Sequence, residues 1–137
     1  MSKDYKKDFD GWNEEKKDVH QRDRKVFFHE REVWWCQLGV NVGFEQDGTN
    51  DDYARPVVIL KTFSTNAFLA LPLTTRDKKG IYYFDLGEVD GEVAKAILSQ
   101  IRFIDKKRLQ NKVDIVDKGI FKKLKKAVIQ LNLELED

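Results

Sequence analysis

A single cysteine, Cys36, leaves no partner for an internal disulfide, so packing and hydrogen bonding must hold this 137-residue chain together. One free thiol suits a reducing compartment, and the cytoplasm is the default location. No Pro/Gly/Ser-rich linker, internal repeat or low-complexity tract divides the chain, and its length reads as one domain over residues 1–137. Long apolar runs are missing too. The longest, such as Phe68–Leu73, fall far short of the roughly 20 residues that cross a bilayer, so no membrane association is expected. The opening MSKDYKKDFDGW has lysines but no apolar stretch behind them, so no secretory signal is expected there. No Cys/His/Asp/Glu cluster has the spacing of a metal site, and neither a metal nor another cofactor is expected. An excess of charge is also lacking: 25 basic against 24 acidic residues give a net charge of +1.

What is present is an ordinary globular composition, with 41% hydrophobic and 12% aromatic residues. A domain of this size buries roughly two-thirds of its unfolded surface. The charge is unevenly placed. Arg102–Lys126 holds ten Lys/Arg against three acids, whereas Glu45–Asp52 holds four acids and no base. The basic stretch fits either a polyanion partner or a solvated helix face.

Helical spacing of Phe9, Trp12 and Val19 predicts a helix over Asp8–Lys25, with Gly11 weakening it. That helix would be an extension, within residues 1–30, laying one narrow stripe on the main body. Glu32–Leu38 is dense in strand formers and opens the sheet. Gly39–Ala54 is a long polar loop, of a length more often functional than idle. Strands follow over Val57–Leu60, Ala67–Leu73 (after a turn at Ser64–Asn66), Ile81–Leu86 and Ala94–Ile104. Thr75–Gly80 is a second charged loop, and Lys112–Val116 a short edge strand. Asp117 then caps a helix carrying Ile120, Phe121, Leu124, Ala127, Val128 and Leu131 on one face. The pattern predicts an α+β, mainly β fold: a small SH3-like curled sheet or barrel over 31–131 with a C-terminal helix.

Three segments in order carry a family resemblance: EVWWCQLGVNVGFEQDG followed by RPVVIL, LPLTTRDKKG followed by YYFDL, and ILSQIRFIDKKRL. Together, over about residues 31–130, they resemble the MazF/PemK toxins. The shared pattern is an opening strand, a G-x-E-Q loop, Arg-Pro before a β-branched run, a P-x-T-T turn and a Gln-Ile-Arg strand. Three departures stand out. Arg31 replaces the glycine usual before the opening acid. DGTNDDYA lengthens the connection from Gln46 to Arg55, bringing Asp47, Asp51 and Asp52 to a loop expected to border an RNA groove. The N-terminal helix is extra.

The resemblance implies a metal-independent, sequence-preferring endoribonuclease, the growth-inhibiting toxin of a type II toxin–antitoxin pair. Such cleavage uses the 2′-OH of RNA as nucleophile and leaves 2′,3′-cyclic phosphate and 5′-OH ends. It needs a proton acceptor, a cation for the phosphorane charge and a donor for the leaving oxygen. By resemblance Arg55 is the cation, its planar guanidinium offering several donors; the other reading has it tie down the acidic loop by a salt bridge. Thr74 falls at the catalytic threonine, although a hydroxyl there can equally close its own turn, as Thr75 can. Glu45 is the candidate acceptor, or else a loop-pinning carboxylate. His20 and His29 lie outside the matching segments, which argues against a two-histidine mechanism.

For RNA recognition, Phe44 and Tyr53 are candidates to stack on unpaired bases. Gln46, Ser99 and Gln100 offer groups for base edges, and Thr75, Arg76, Lys78 and Lys79 groups for phosphates. Each fits a solvated or packing role as well. Trp34 and Trp35 point to opposite faces of a strand, one into the core and the other against the N-terminal helix or a partner. Cys36 reads as a small buried hydrophobe. The expected partners are single-stranded RNA, a cognate antitoxin (with which family toxins bind DNA) and a second copy in a homodimer. Two alternatives stand beside this: a non-catalytic RNA- or protein-binding module on the same barrel, and an N-terminal helix that fills the groove in cis.

Overall fold

Apolar residues at the strand-forming positions build two hydrophobic layers around one curled sheet. The computed structural model describes residues 5–134; residues 1–4 and 135–137, the outermost of the expected domain, lie outside the described residues. The order is α1 (Phe9–Gln21), β1 (Glu32–Gln37), β2 (Ala54–Thr62), β3 (Ala67–Thr74), β4 (Tyr83–Val89), β5 (Glu92–Ile97), β6 (Arg102–Asp105), β7 (Leu109–Ile115) and α2 (Lys118–Leu133). A single 3-10 turn, Lys106–Arg108, joins β6 to β7. Strands pair antiparallel in the order β4-β5-β3-β2-β1-β7, with β6 also on β3. One edge of β3 therefore changes partner along its length: Ala67–Ala70 pairs with β6, and Leu73–Thr74 with β5. This split lets the sheet curl into the half-barrel that the pattern predicts.

Val33, Val58, Leu60, Leu71 and Leu73 share one cluster with Phe121, Leu124 and Val128 of α2. Trp34, Cys36, Val57, Ile59, Phe68 and Ala70 form another, closed by Phe28, Ile104 and Leu109. Because both faces are covered, β2 and β3 read as continuous apolar runs instead of alternating ones. Each fully buried large side chain, such as Phe68 or Leu71, contributes roughly 1.5–3 kcal/mol. Asp117 caps α2 as expected, accepting from the backbone N–H of Gly119 and Ile120. No helix among the described residues is long and apolar enough to cross a membrane.

Several boundaries differ from expectation. The first helix ends at Gln21, not Lys25, because Arg22 turns extended (φ −65°, ψ 140°). The chain then crosses the body: Arg22 Nη1 donates to Gln37 Oε1 at 2.6 Å, and Arg24 Nε to the Leu109 carbonyl at 2.9 Å. Phe28 enters the core beyond them, so tertiary contacts override helix propensity here. Phe9, expected in the buried stripe, is 50% exposed, while Trp12 and Val19 are buried. The predicted strand Ala94–Ile104 is two strands, since a turn at Leu98–Gln100 carries the chain from β5 to β6. The predicted Ile81–Leu86 shifts to Tyr83–Val89 and forms a hairpin with β5. Asp90 and Gly91 make its turn with φ of 51° and 83°, as a two-residue hairpin connection requires.

The Arg31 departure has a conformational meaning. Its φ is +76°, where a Cβ costs roughly 1–2 kcal/mol and glycine is at ease. Offsetting bonds hold it: its N–H donates to the Ile59 carbonyl and its Nε to the Val116 carbonyl, both at 2.9 Å.

Candidate functional site

A cleft of about 410 Å³ opens between the β1–β2 surface and the β4–β5 hairpin. Trp35 of β1, Arg55 and Pro56 of β2, Leu73 and Thr74 of β3, and the following Thr75 and Arg76 line one side. Val89, Asp90, Glu92 and Ala94 line the other, with Thr49 and Val113 at the margins.

Arg55 is half-buried here. Its Nε donates to the Asp47 carbonyl at 2.8 Å and its Nη1 to the Leu73 carbonyl at 3.0 Å. It thus anchors the loop through a backbone oxygen, not through the expected type of salt bridge, and forms none among the described residues. Its Nη2 has no partner among them. Burial, and then the like charge of Arg76, push the guanidinium below its ordinary range, while Asp47 pulls it back. An arginine held by neutral carbonyls beside a second arginine is an electrostatic vacancy for an anion.

Thr74 is buried, and its Oγ1 accepts from the Arg76 backbone N–H at 3.2 Å. The turn-closing role is therefore real, and it orients Arg76 toward the same cleft. Thr75 and Arg76 are exposed on the cleft wall. Lys78 and Lys79 are exposed beyond it, where the Lys78 carbonyl accepts from Lys95 Nζ.

Glu45 lies elsewhere. Its carboxylate accepts from the Val42 backbone N–H at 3.2 Å, and it does not line the cleft. Gln100 stitches the same loop from both ends of its amide. It accepts from the Gln46 N–H at 3.2 Å and donates to the Phe44 carbonyl at 3.1 Å. The Phe44 ring is fully exposed above this pinned backbone. Gln46 is part-buried and Ser99 exposed. Tyr53 turns instead to the N-terminal helix, donating to Asp8 at 2.9 Å and packing on Trp12 with ring centroids 5.5 Å apart. The inserted acids do not line the cleft either: Asp47 is buried, and Asp52 accepts from Gln110 at 3.1 Å.

Of the two adjacent tryptophans, Trp34 is the core residue, its Nε1 donating to Glu32 at 3.0 Å, and Trp35 lines the cleft. Asp90 and Glu92 were not singled out by sequence reasoning. The Asp90-Gly91 pair, between Val89 and Glu92-Val93, is the signal that would have placed them on a tight turn. The lysines of α2 are a solvated face and do not enter the cleft. Among the described residues, no group of three or more His, Cys, Asp or Glu side chains is arranged to hold a metal ion.

The family model for the PemK-like, MazF-like toxin of type II toxin-antitoxin system matches residues 29–131. The chain belongs to this toxin family. Solved structures repeat the MazF-like fold at low sequence identity. MazF from Deinococcus radiodurans is 18% identical with a TM-score of 0.66, covering 78% of this chain and 97% of its own. Toxin MazF-mt6 of Mycobacterium tuberculosis is 17% identical with a TM-score of 0.59, covering 78% and 100%. An endoribonuclease from a mycobacterial species, in complex with its cognate antitoxin, is 18% identical with a TM-score of 0.58, covering 82% and 100%. No curated protein matches this sequence. The MazF-like match begins at residue 29, so α1 and the residues before it lie outside it.

Proposed function

We propose that this MazF-like chain is a metal-independent, sequence-preferring endoribonuclease acting on single-stranded RNA, the toxin of a type II toxin–antitoxin pair. The observation that carries the reading is Arg55, half-buried, forming no salt bridge among the described residues, and sharing a cleft with Thr74 and Arg76. A phosphate entering there would supply the missing negative charge. The 2′-oxygen attacks phosphorus as its proton passes to a base; the phosphorus–O5′ bond breaks and O5′ takes up a proton. The ends are a 2′,3′-cyclic phosphate and a 5′-hydroxyl. Arg55 stabilises the extra phosphorane charge, and Thr74 positions Arg76 on the same phosphate. Asp90 and Glu92 are the carboxylates lining the cleft, which favours them over Glu45 as the proton acceptor. Phe44 offers a stacking surface for an unpaired base.

Family membership, and a relative solved with its cognate antitoxin, support an antitoxin partner. A homodimer and a cytoplasmic site of action belong to the same reading. The acids of the insertion, Asp47, Asp51 and Asp52, do not line the cleft and so do not weigh against phosphate binding there.

The test is incubation of the purified protein with a long single-stranded RNA in excess EDTA, followed by mapping of fragment ends. Discrete fragments with cyclic-phosphate and 5′-hydroxyl ends are expected. Arg55→Ala should lower the rate by about 10²–10³, the loss typical of a transition-state donor, whereas Glu45→Gln should stay within about tenfold. Intact RNA at all salt and protein concentrations, or a fully active Arg55→Ala, would overturn the proposal.

A further inference from the structure

Asp47 sits where two peculiarities of this chain meet. It belongs to the lengthened connection before Arg55, and it is gripped by residues ahead of α1 that lie outside the family match. Its carbonyl accepts the Arg55 Nε–H at 2.8 Å. Its buried carboxylate is held by three donors. Oδ1 accepts from the Asn41 backbone N–H at 2.7 Å, Oδ2 accepts from the Tyr5 hydroxyl at 2.7 Å, and Lys7 Nζ lies 3.3 Å from Oδ2. The same ammonium donates to the Gly43 carbonyl at 2.8 Å and to the Asn41 carbonyl. The arm therefore supplies the positive charge and one of the two shortest donors to a buried carboxylate.

We propose that the N-terminal arm, through Tyr5 and Lys7, positions Arg55 by fixing Asp47, and that it braces the site instead of plugging it. The inference rests on the ribonuclease reading for its consequence in catalysis, though not for its geometry. A buried carboxylate stripped of Tyr5 and Lys7 keeps only the Asn41 N–H and must turn toward water. The Asp47 carbonyl moves with it, and Arg55 loses the bond that sets the plane of its guanidinium. Reaction geometry tolerates little such movement: a misplacement of about 1 Å can cost about 10² in rate. No residue of Tyr5–Gln21 lines the cleft, so the arm leaves RNA room to enter. Tyr5 remains a donor throughout the neutral range, since burial and Asp47 raise its hydroxyl to about 12.

Behind the arm, α1 holds the other end of the same loop. Asp8 accepts from Tyr53, and Trp12 lies so close to Gly39 that an added Cβ would stand 2.1 Å from the ring. Gly39 also has a φ of +84°. Helix and arm thus clamp the loop at its start, middle and end. Tyr5, Lys7 and Asp47 are positioning residues, acting through Arg55 without touching substrate.

The experiment compares wild-type protein, Tyr5→Phe and the double variant Tyr5→Phe/Lys7→Met in two measurements. Hydrogen exchange of the Arg55 Nε–H by NMR reads the bond to Asp47 without any substrate, and RNA cleavage gives kcat and KM separately. Exchange about tenfold faster in the double variant is expected, with a smaller change in Tyr5→Phe. In cleavage, kcat should fall about 10- to 100-fold while KM moves less than about threefold. Unchanged Arg55 exchange in both variants overturns the proposal, and so does faster cleavage, which would make the arm an inhibitor. If wild-type protein cleaves no RNA, the ribonuclease reading fails separately, and the exchange measurement alone still decides the role of the arm.

Discussion

Glu32 shows how a single buried charge can be kept. Burial acts to raise its carboxyl, but the Trp34 indole N–H and the His29 backbone N–H, with Lys112 and His29 nearby, outweigh it and leave the group below its ordinary value. A carboxyl lowered in the folded state adds stability above the unfolded value of about 4.3, and that stability is lost as pH falls through the folded value. Glu32→Gln should therefore lower the urea midpoint at pH 7, and the gap to wild type should narrow toward pH 3. Midpoints measured across that range test it; a gap independent of pH would refute the assignment. Cys36 is the opposite case. Burial raises its thiol to about 12, which makes it an inert core side chain, as its sequence context implied. At the site, Arg55 and Thr74 were legible because the resemblance ties them to short motifs. Trp35, Asp90 and Glu92 were not, since alternation says only that two neighbouring tryptophans face opposite ways, not which face becomes a cleft.

Among the elements, the N-terminal segment departs most from the sequence reading. A stripe of three apolar residues suggested an appendage. In the fold, Glu15 accepts from Arg22, and Gln37, only 1% exposed, donates to Glu15 and to the Asp52 carbonyl. Lys107 Nζ donates to the His20 carbonyl, and Arg108 lies over the Trp12 ring at 5.7 Å. Truncations should therefore separate two functions. Removing residues 1–28 takes away Phe28 and the bonds of Arg22 and Arg24, and this should destabilise the protein by several kcal/mol or prevent folding. Removing residues 2–7 spares these contacts but strips Tyr5 and Lys7 from Asp47, so it should cost less, about 1–3 kcal/mol. Thermal melts of both truncated proteins check this, and equal stabilities would refute it. The β5–β6 break escaped the sequence for a related reason: no glycine or proline interrupts Val93 to Ile104, and only the need for β3 to take two partners cuts the segment apart.

For the whole molecule, near neutrality matters more than local patches suggest. A net charge of +1 gives RNA little long-range attraction, so binding should depend on the few cations at the cleft and just beyond it. If Arg55, Arg76 and Lys78 each meet one phosphate of single-stranded RNA, log affinity should fall against log salt with a slope of about −2. Arg76→Ala should make that slope shallower by about 0.7. Fluorescence anisotropy with a short RNA at several salt concentrations measures both values, and a flat dependence would favour a protein-binding surface over an RNA cleft.

By itself the sequence determined the strand-rich class, the central β2–β3 pair, the cap and buried face of α2, and the family whose motifs carry Arg55 and Thr74. These are local or nearly local matters: propensity, periodicity, a capping side chain and short ordered motifs all act within a few residues. Only the tertiary structure decided which tryptophan lines the cleft, that Glu45 stays outside it, and that Tyr5 and Lys7 reach Asp47. The reason is physical. A buried polar or charged group takes whichever partners surround it, and those of Asp47, Tyr5 and Lys7, lie 42 and 40 residues away in the chain.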